Sequence, residues 1–230
     1  MFFCLLCHSR CQPHSDVCQA CEGNLPWHHH GCRVCAEPLD SALESLCIRC
    51  QRELPAVDQA VTVFRYAFPM DQLILAMKQQ PRPDLLTSFA RWMSDHLADS
   101  RVAKPDLLLP VPMHPAKQRQ RGFNQAAVLA HRVGKQLKIP VRHDLLSKRT
   151  STEEQKTLSR EQRQRNLANA FKLERVTLLQ MRPRPRHIAL VDDVITTGTT
   201  TAQLAALLKK SGIARVDVWA LAKTPLQNPG

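Results

Sequence analysis

Residues 187–201 read HIALVDDVITTGTTT, and this stretch decides the fold. The apolar run at 187–192 is typical of a buried β-strand, and residues 199–210 carry apolar side chains at helical spacing. A second apolar strand is predicted at 214–222, directly after Gly212, a residue suited to the end of a helix. Strand, glycine-containing loop, helix and strand make a βαβ unit, so the sequence predicts an α/β fold with a parallel sheet flanked by helices.

The segments around this unit continue the alternation of strands and helices. Strands are predicted where short apolar runs stand between turn residues, and helices where apolar residues recur every three or four positions. Residues 182–186 read RPRPR, which predicts a loop because proline disrupts helix interiors. The other predictions are strands at 57–66, 106–111, 141–147 and 171–174, helices at 69–79, 84–98 and 123–137, and weak helical character at 159–167.

Two acids stand at the carboxyl end of the strand predicted at 187–192, and a threonine-rich loop follows them. Backbone N–H groups at the start of a helix bind phosphate, and Gly198 lets the chain approach such a ligand closely. Asp192 and Asp193 would repel an anion unless they hold sugar hydroxyls or Mg²⁺ beside it. A strand followed by a threonine-capped helix is the simpler interpretation. That interpretation leaves the paired acids unexplained, although open α/β sheets bind ligands at the carboxyl ends of their strands.

All nine cysteines lie in the first 50 residues, and eight of them form four CxxC pairs. Two such pairs complete a tetrahedral Cys4 zinc site, in which the closed coordination indicates a structural metal. Sequential pairing is the simplest assignment, although the similar middle spacing also allows an interleaved one. An iron–sulfur cluster is a further alternative. The sequential assignment gives one site to Cys4, Cys7, Cys18 and Cys21 and the other to Cys32, Cys35, Cys47 and Cys50.

The remaining potential ligands of the cysteine-rich region receive no metal role. Cys11 is expected to be a free thiol, because the eight paired cysteines already complete two sites. The adjacent residues 28–30 are all histidine and are expected in an exposed loop.

Composition and charge limit the class of protein. The 230 residues are predicted to form a small cysteine-rich module at 1–52 and a larger α/β domain at 53–230. No apolar run reaches the ~18 residues that span a bilayer, and no signal peptide is recognisable, so a cytoplasmic protein without membrane insertion is expected. The formal charge of +12 fits a solvated basic surface as well as nucleic acid or a polyphosphate as a partner, and charge alone does not choose between them.

The loop at 190–200 resembles the motif with which type I phosphoribosyltransferases bind 5-phosphoribosyl 1-pyrophosphate (PRPP). That motif is two apolar residues, two acids, two apolar residues and Thr-x-Gly-x-Thr. The wider sequence is similar to the ComF family, and the four CxxC pairs fit its double-zinc-ribbon, GntX-type members. The other residues that carry this resemblance are Pro110-Val111-Pro112, Arg119, Arg121-Gly122-Phe123-Asn124-Gln125, Gln155, Leu158-Ser159, Arg163, Arg165-Asn166-Leu167 and Ala170-Phe171.

The resemblance implies roles for individual residues. Asp192 and Asp193 would contact the ribose hydroxyls, directly or through Mg²⁺, and the loop at Val111 and Pro112 would face the pyrophosphate. Arg119 and Arg121 would close on the leaving pyrophosphate, which suits the bidentate pairing of guanidinium with phosphate. Arg163 and Arg165 would act likewise or line a nucleic-acid groove. The 5-phosphate would be held by Thr196, Thr197, Gly198, Thr199 and Thr200.

The sequence is compatible with two functions. One is a phosphoribosyltransferase, a glycosyltransferase that transfers the pentosyl group of PRPP, associated by family resemblance with competence, DNA uptake and the use of DNA as a nutrient. The other is a transferase fold without catalysis that binds single-stranded DNA through its basic surface, in a salt-dependent manner. Either would have PRPP, DNA or other DNA-uptake proteins as partners. A thiol redox protein is disfavoured, because four CxxC pairs exceed what a thiol catalyst needs.

Overall fold

The centre of the molecule is a four-stranded parallel sheet, seen in a computed structural model that describes residues 3–12, 16–41, 43–80, 82–99, 102–149 and 170–226. The strands lie in the order β1-β6-β5-β2, and every neighbouring pair is parallel. The predicted parallel sheet is therefore confirmed. All four carboxyl ends lie along one edge. The strands are β1 Gln59–Arg65, β2 Leu107–Pro110, β5 His187–Ile195 and β6 Arg215–Lys223.

Alternation along the inner strands divides the core into two layers. In β5, Ala189 and Val191 face one layer, and Ile188 and Leu190 face the other. Both faces are covered by helices, so the inner strands are apolar at nearly every position. The first layer contains side chains of helices α3 Met70–Gln79, α4 Pro83–Asp99 and α6 Gln125–Leu137, and the second contains side chains of α8 Thr199–Lys210.

Several boundaries differ from the sequence prediction. The predicted helix at 123–137 begins at Gln125, and the unpredicted helix α5 Pro115–Arg121 precedes it. Gly122, at φ 80°, separates these two helices because few residues other than glycine adopt that conformation. The predicted strand at 141–147 is shorter, β3 Leu146–Lys148, because Val141 instead forms an isolated bridge with β2. Strand β4 Phe171–Leu173 pairs antiparallel with β3, and helix α7 Arg175–Gln180 was not predicted.

The other sequence predictions agree with the structure or fall outside it. Helix α8 has the predicted ends, and the strands near 57–66, 106–111, 171–174 and 214–222 occur with shifts of at most a few residues. Residues 182–186 lie outside helices and strands, as predicted. The weak helical character at 159–167 and the motif residues from Gln155 to Leu167 lie outside the described residues. None of the described helices is both long and apolar enough to cross a membrane.

The cysteine-rich region consists of two similar units. Each has an isolated β-bridge near its first CxxC pair, Phe3 with Arg10 and Gly31 with Pro38. In each, the second CxxC pair begins a five-residue helix, α1 Gln19–Gly23 or α2 Ile48–Arg52. This repeat of structure follows the repeat of cysteine spacing that the sequence contains.

The chain between and within these units runs along β1, the edge strand of the sheet. The N–H of His28 donates to the Val63 carbonyl (2.9 Å), and the N–H of Arg65 donates to the Pro26 carbonyl (2.8 Å). The Trp27 ring lies against the Phe64 ring, with centroids 4.6 Å apart. These contacts cover an edge that would otherwise expose unpaired backbone groups.

Candidate functional site

The two acids of the predicted site stand at the carboxyl end of β5. Both side chains are half-buried, and each carboxylate accepts a backbone N–H from the next residue. The N–H of Asp193 donates to Asp192 Oδ1, and the N–H of Val194 donates to Asp193 Oδ1, both at 2.8 Å. These local bonds orient the two carboxyl groups near the carboxyl end of β5, which continues to Ile195 and so extends beyond the predicted end at 192.

A lysine that the sequence analysis did not identify neutralises part of the negative charge of the two carboxylates. Lys78, in the last turn of α3, places its Nζ 3.0 Å from Asp193 Oδ2. Removal from bulk water and the neighbouring Asp193 carboxylate raise the pKa of Asp192 well above its usual range, although Lys78 opposes this. No short-range pattern reveals Lys78, because its contact with Asp193 joins distant parts of the chain. Burial and mutual repulsion thus make the charged form of this acid pair unfavourable. Hydrogen bonds from hydroxyl groups or a bound divalent cation would stabilise it.

Because the Asp192 carboxylate is unfavourable in the folded protein, we predict that removing its charge raises the free energy of unfolding of the ligand-free protein. An acid whose pKa is higher in the folded state binds more protons there, so stability falls as pH rises towards that pKa. We expect Asp192→Asn to raise Tm at pH 7.5 by a few degrees, since 1 kcal/mol corresponds to roughly 2–4 °C at this chain length. The gain should shrink as pH falls and the wild-type carboxyl becomes protonated. Calorimetric scans of both proteins across pH 5–8 test this; a lower Tm for the variant would contradict it.

The loop that follows the acids is shaped for a close approach of backbone to ligand. Gly198 adopts a left-handed conformation (φ 78°) and is the N-cap of α8, in place of the capping threonine considered above. The hydroxyl oxygens of Thr197 and Thr199 are hydrogen-bonded at 2.9 Å. The Thr201 hydroxyl donates to the Gly198 carbonyl, also at 2.9 Å. Asp192 and residues 194–201 line a concavity of about 50 Å³. Thr196, Thr197 and Thr199 are exposed and Thr200 is half-buried.

The end of β2 lies beside this loop, as the sheet order requires. The N–H of Val111 donates to the Val191 carbonyl (2.8 Å), which places Val111 and Pro112 next to the strand that carries the acids. Asn124 holds this turn: its Nδ2 donates to the Val111 carbonyl (3.1 Å), and its Oδ1 caps α6 by accepting the Ala126 N–H (3.0 Å). The sequence motif around Asn124 therefore has a structural role in positioning the β2 loop.

The two arginines of the predicted site lie on α5. Arg119 is exposed and Arg121 is half-buried. Neither side chain forms an ion pair or hydrogen bond with any residue in the described part of the chain. Helix α5 follows the β2 loop directly, with Pro115 at its first turn and the His114 ring accepting the Ala116 N–H. The structure thus brings together the acids, the threonine loop and Val111-Pro112, and no contact of Arg119 or Arg121 with the acids occurs among the described residues.

The eight paired cysteines form two groups, with sequential pairing. Within each group the four Sγ atoms all lie within 4.8 Å of one another, so either group could hold one metal ion. Cys7 and Cys18 are 3.6 Å apart, as are Cys35 and Cys47. This separation is near the ~3.8 Å edge of a tetrahedron with Zn–S bonds of ~2.3 Å, so the donor set fits zinc. The first group is Cys4, Cys7, Cys18 and Cys21, and the second is Cys32, Cys35, Cys47 and Cys50.

Electrostatics in the second group favour a thiolate even before a cation is considered. A hydrogen bond from the Cys35 thiol, opposed by burial and aided by backbone N–H groups, lowers the pKa of Cys32 to about 4. The same hydrogen bond raises the pKa of Cys35. A divalent cation would bind all four sulfurs as thiolates and replace this sharing of protons.

The other potential ligands of the cysteine-rich region stay outside both groups. Cys11 is partly exposed, and its Sγ lies 4.0 Å from the Ser9 carbonyl. The exposed loop predicted for the histidine run is wrong for His28, which is buried with Nδ1 2.5 Å from the Thr62 hydroxyl, although His29 and His30 are exposed. Burial lowers the pKa of His28 to about 4, so its ring is neutral at physiological pH.

Comparison with solved structures gives low similarity scores. The glutamine PRPP amidotransferase of Bacillus subtilis, complexed with ADP and GMP, is 19% identical with a TM-score of 0.42, over 60% of this chain and 28% of that one. The protein TT1426 from Thermus thermophilus is 16% identical with a TM-score of 0.35, over 63% of this chain and 86% of that one.

Comparison with known sequences is more informative, although no family model matches the chain. The DNA utilization protein YhgH of Escherichia coli K12 is 31% identical over 215 residues, which cover 92% of each chain. Competence protein F of Haemophilus influenzae is 30% identical over 96% of this chain and 97% of its own, and competence protein ComFC of Bacillus subtilis is 25% identical over 96% and 95%. Relatives at this identity over nearly the whole length show that the chain belongs to the ComF family.

Proposed function

We propose that this protein binds PRPP at the carboxyl edge of its sheet, as a phosphoribosyltransferase-type protein that serves the use of DNA as a nutrient or DNA uptake. The main observation behind the proposal is the pair of half-buried acids, Asp192 and Asp193, near the end of β5. A short loop links them to Gly198, which caps the start of α8. The names of these relatives refer to DNA utilization and competence, and we extend that context to this chain.

In this proposal each part of PRPP meets a suitable part of the site. The 5-phosphate lies in the concavity of residues 196–200, where N–H groups and hydroxyls donate to its oxygens. The carboxylates of Asp192 and Asp193 accept hydrogen bonds from the ribose hydroxyls. The pyrophosphate extends towards the loop at Val111 and Pro112, which lies beside β5.

The reaction supported by such a site is displacement at the anomeric carbon. A nitrogen nucleophile forms the new bond to that carbon, and the bond to pyrophosphate breaks with its electron pair leaving on the pyrophosphate oxygen. Arg119 and Arg121 pair with the leaving group if α5 closes over the site, since neither is engaged by a described acid. Mg²⁺, when bound by PRPP and the carboxylates, would supply charge neutralisation. Zinc in the two cysteine groups would be structural, with residues 1–52 as its module and residues 53–230 as the transferase domain.

Calorimetric titration of PRPP into the metal-loaded protein with Mg²⁺ tests the proposal. Saturable binding of one PRPP per chain is the expected result. An absence of heat, together with no protection of residues 190–201 in hydrogen exchange, would contradict it. Where binding occurs, release of pyrophosphate in the presence of nucleobases tests for turnover.

Binding of single-stranded DNA is a second candidate function, favoured by basic side chains that have no acidic partner among the described residues. Lys117, Arg119 and Arg121 lie together on α5, and the formal charge of the chain is +12. Removing one cationic side chain that binds a phosphate should reduce the slope of log K against log salt by about 0.7 for a single strand. We therefore expect the triple variant Lys117→Gln/Arg119→Gln/Arg121→Gln to bind oligo(dT) with a slope shallower by about 2, measured by fluorescence anisotropy. An unchanged slope would exclude α5 from a DNA-binding surface.

A further inference from the structure

The second cysteine-rich unit contacts the loop that holds the proposed 5-phosphate, whereas the first unit contacts helix α4. In the first unit, Glu22 Oε1 accepts a hydrogen bond from Trp92 Nε1 (2.5 Å) and lies 3.3 Å from Arg91 Nη2. The second unit reaches the loop directly through Arg49, and through Glu37 by way of Lys223. The two units are similar in structure but meet different parts of the α/β domain.

Glu37 reaches the loop through a buried lysine. Lys223, at the carboxyl end of β6, has no exposed surface, and its Nζ lies 2.8 Å from Glu37 Oε2. The same Nζ donates to the Thr196 carbonyl (3.0 Å) and to the Thr224 carbonyl. Glu37 Oε1 accepts the Leu226 N–H at 2.8 Å. The carboxylate of Glu37 therefore supplies the countercharge that lets Lys223 remain buried beneath the loop.

The cysteine group itself fixes Glu37. The N–H of Cys32 donates to the Glu37 carbonyl, and the N–H of Ala36 donates to the Cys32 carbonyl, both at 2.7 Å. These bonds close the turn around the first CxxC pair of the second unit. The position of the Glu37 carboxylate thus depends on the turn that presents Cys32 and Cys35.

Arg49 makes a second connection one residue further along the loop. It stands in α2, between Cys47 and Cys50, and its Nη2 donates to the Thr197 carbonyl at 3.2 Å. Elsewhere the unit and α8 are separated by a cavity of about 490 Å³, lined among others by Leu54, Ala202 and Gln203. The polar contacts to residues 196 and 197 therefore carry much of the coupling between the second unit and the loop.

Holding these two carbonyls orients the donors that a phosphate needs. In a planar trans peptide, the C=O of one residue and the N–H of the next point in opposite directions. Bonds from Lys223 and Arg49 to the Thr196 and Thr197 carbonyls therefore turn the Thr197 N–H away from Lys223 and the Gly198 N–H away from Arg49. Neither N–H has an acceptor among the residues that the structure describes.

We propose that the second cysteine unit is a structural part of the phosphate loop, and that Glu37 and Arg49 are positioning residues for PRPP. They act through the Thr196 and Thr197 carbonyls and do not touch the ligand. PRPP affinity then depends on the integrity of the second cysteine group. This inference rests on the proposed function for its effect on PRPP, but its effect on the loop is independent of any ligand.

The experiment compares Glu37→Gln and Arg49→Gln with wild type and with Arg52→Gln, a matched control. Arg52 lies on the same short helix as Arg49, is exposed, and has no contact with the loop in the described structure. Hydrogen exchange of peptides covering residues 194–201 is measured without ligand, and PRPP affinity is measured by calorimetry. Metal content is measured in each variant, so that loss of the metal is distinguished from loss of the contact.

We expect both variants to retain their metal and to exchange faster at residues 196–199 than wild type and Arg52→Gln. PRPP affinity should fall roughly tenfold for Glu37→Gln, because the buried Lys223 loses its countercharge. For Arg49→Gln a fall of roughly threefold is expected, from one exposed hydrogen bond, and Arg49→Lys should restore part of it. Wild-type exchange and affinity in the metal-loaded Arg49→Gln and Glu37→Gln proteins would overturn the inference. If wild type binds no PRPP, the proposed function fails, but the exchange measurement still decides whether the cysteine unit orders the loop.

Discussion

We expect the double variant Asp192→Asn/Asp193→Asn to bind PRPP at least roughly 100-fold more weakly than wild type. Each carboxylate would accept a charge-assisted hydrogen bond from a ribose hydroxyl, and such bonds contribute about 1.5–3 kcal/mol. Loss of two of them is about 3–6 kcal/mol, and every 1.4 kcal/mol is a tenfold change in affinity. Loss of any Mg²⁺ held between the carboxylates and the ligand would add to this effect.

The control for this prediction is Asp144→Asn, which removes a carboxylate that pairs with Arg142 at the surface. It should bind PRPP as wild type does. The double variant should remain folded, since relief of the strained acid pair is expected to stabilise the ligand-free protein. Wild-type affinity in a double variant with a normal melting transition would show that the acids are not part of a PRPP site.

The second large effect is expected at the metal groups. We expect Cys32→Ser to lose about one of two bound metal ions and to destabilise the second cysteine unit. Binding of structural zinc in zinc-finger peptides contributes about 10–16 kcal/mol to folding, so removal of one thiolate from a closed site is costly. Elemental analysis of the purified variant measures the loss, and the ion released identifies the metal as zinc or iron.

The matched control for Cys32→Ser is Cys11→Ser. Cys11 lies in the same region but belongs to neither group of four. It should retain two ions and the wild-type melting temperature. Two ions in Cys32→Ser, or a loss of metal in Cys11→Ser, would show that the assignment of ligands is wrong.

Local patterns in the sequence determined the parallel sheet, the motif of acids and threonines, and the number of cysteine groups. The apolar run of β5, the helix at 199–210 and the strand after Gly212 predicted the parallel sheet, because the spacing of apolar residues follows from the geometry of each element. The acids at 192 and 193 and the loop after them were visible for the same reason, since strand, loop and helix are contiguous. The CxxC spacing predicted two four-cysteine groups, because two residues between ligands suffice for a tight turn around a metal.

Contacts between distant parts of the chain were decided only by the tertiary structure. The sequential pairing of the cysteines, the ion pair of Lys78 with Asp193, and the burial of Lys223 against Glu37 have no periodic or motif signature. The short helix that carries Arg119 and Arg121 also emerged only there, because its ends are set by Pro115 and Gly122 and its residues show no apolar pattern. Backbone geometry and side-chain periodicity act over a few residues, so sequence reveals elements and motifs. The electrostatic environment of a site depends on which side chains packing brings within a few ångströms, and that is a property of the folded chain.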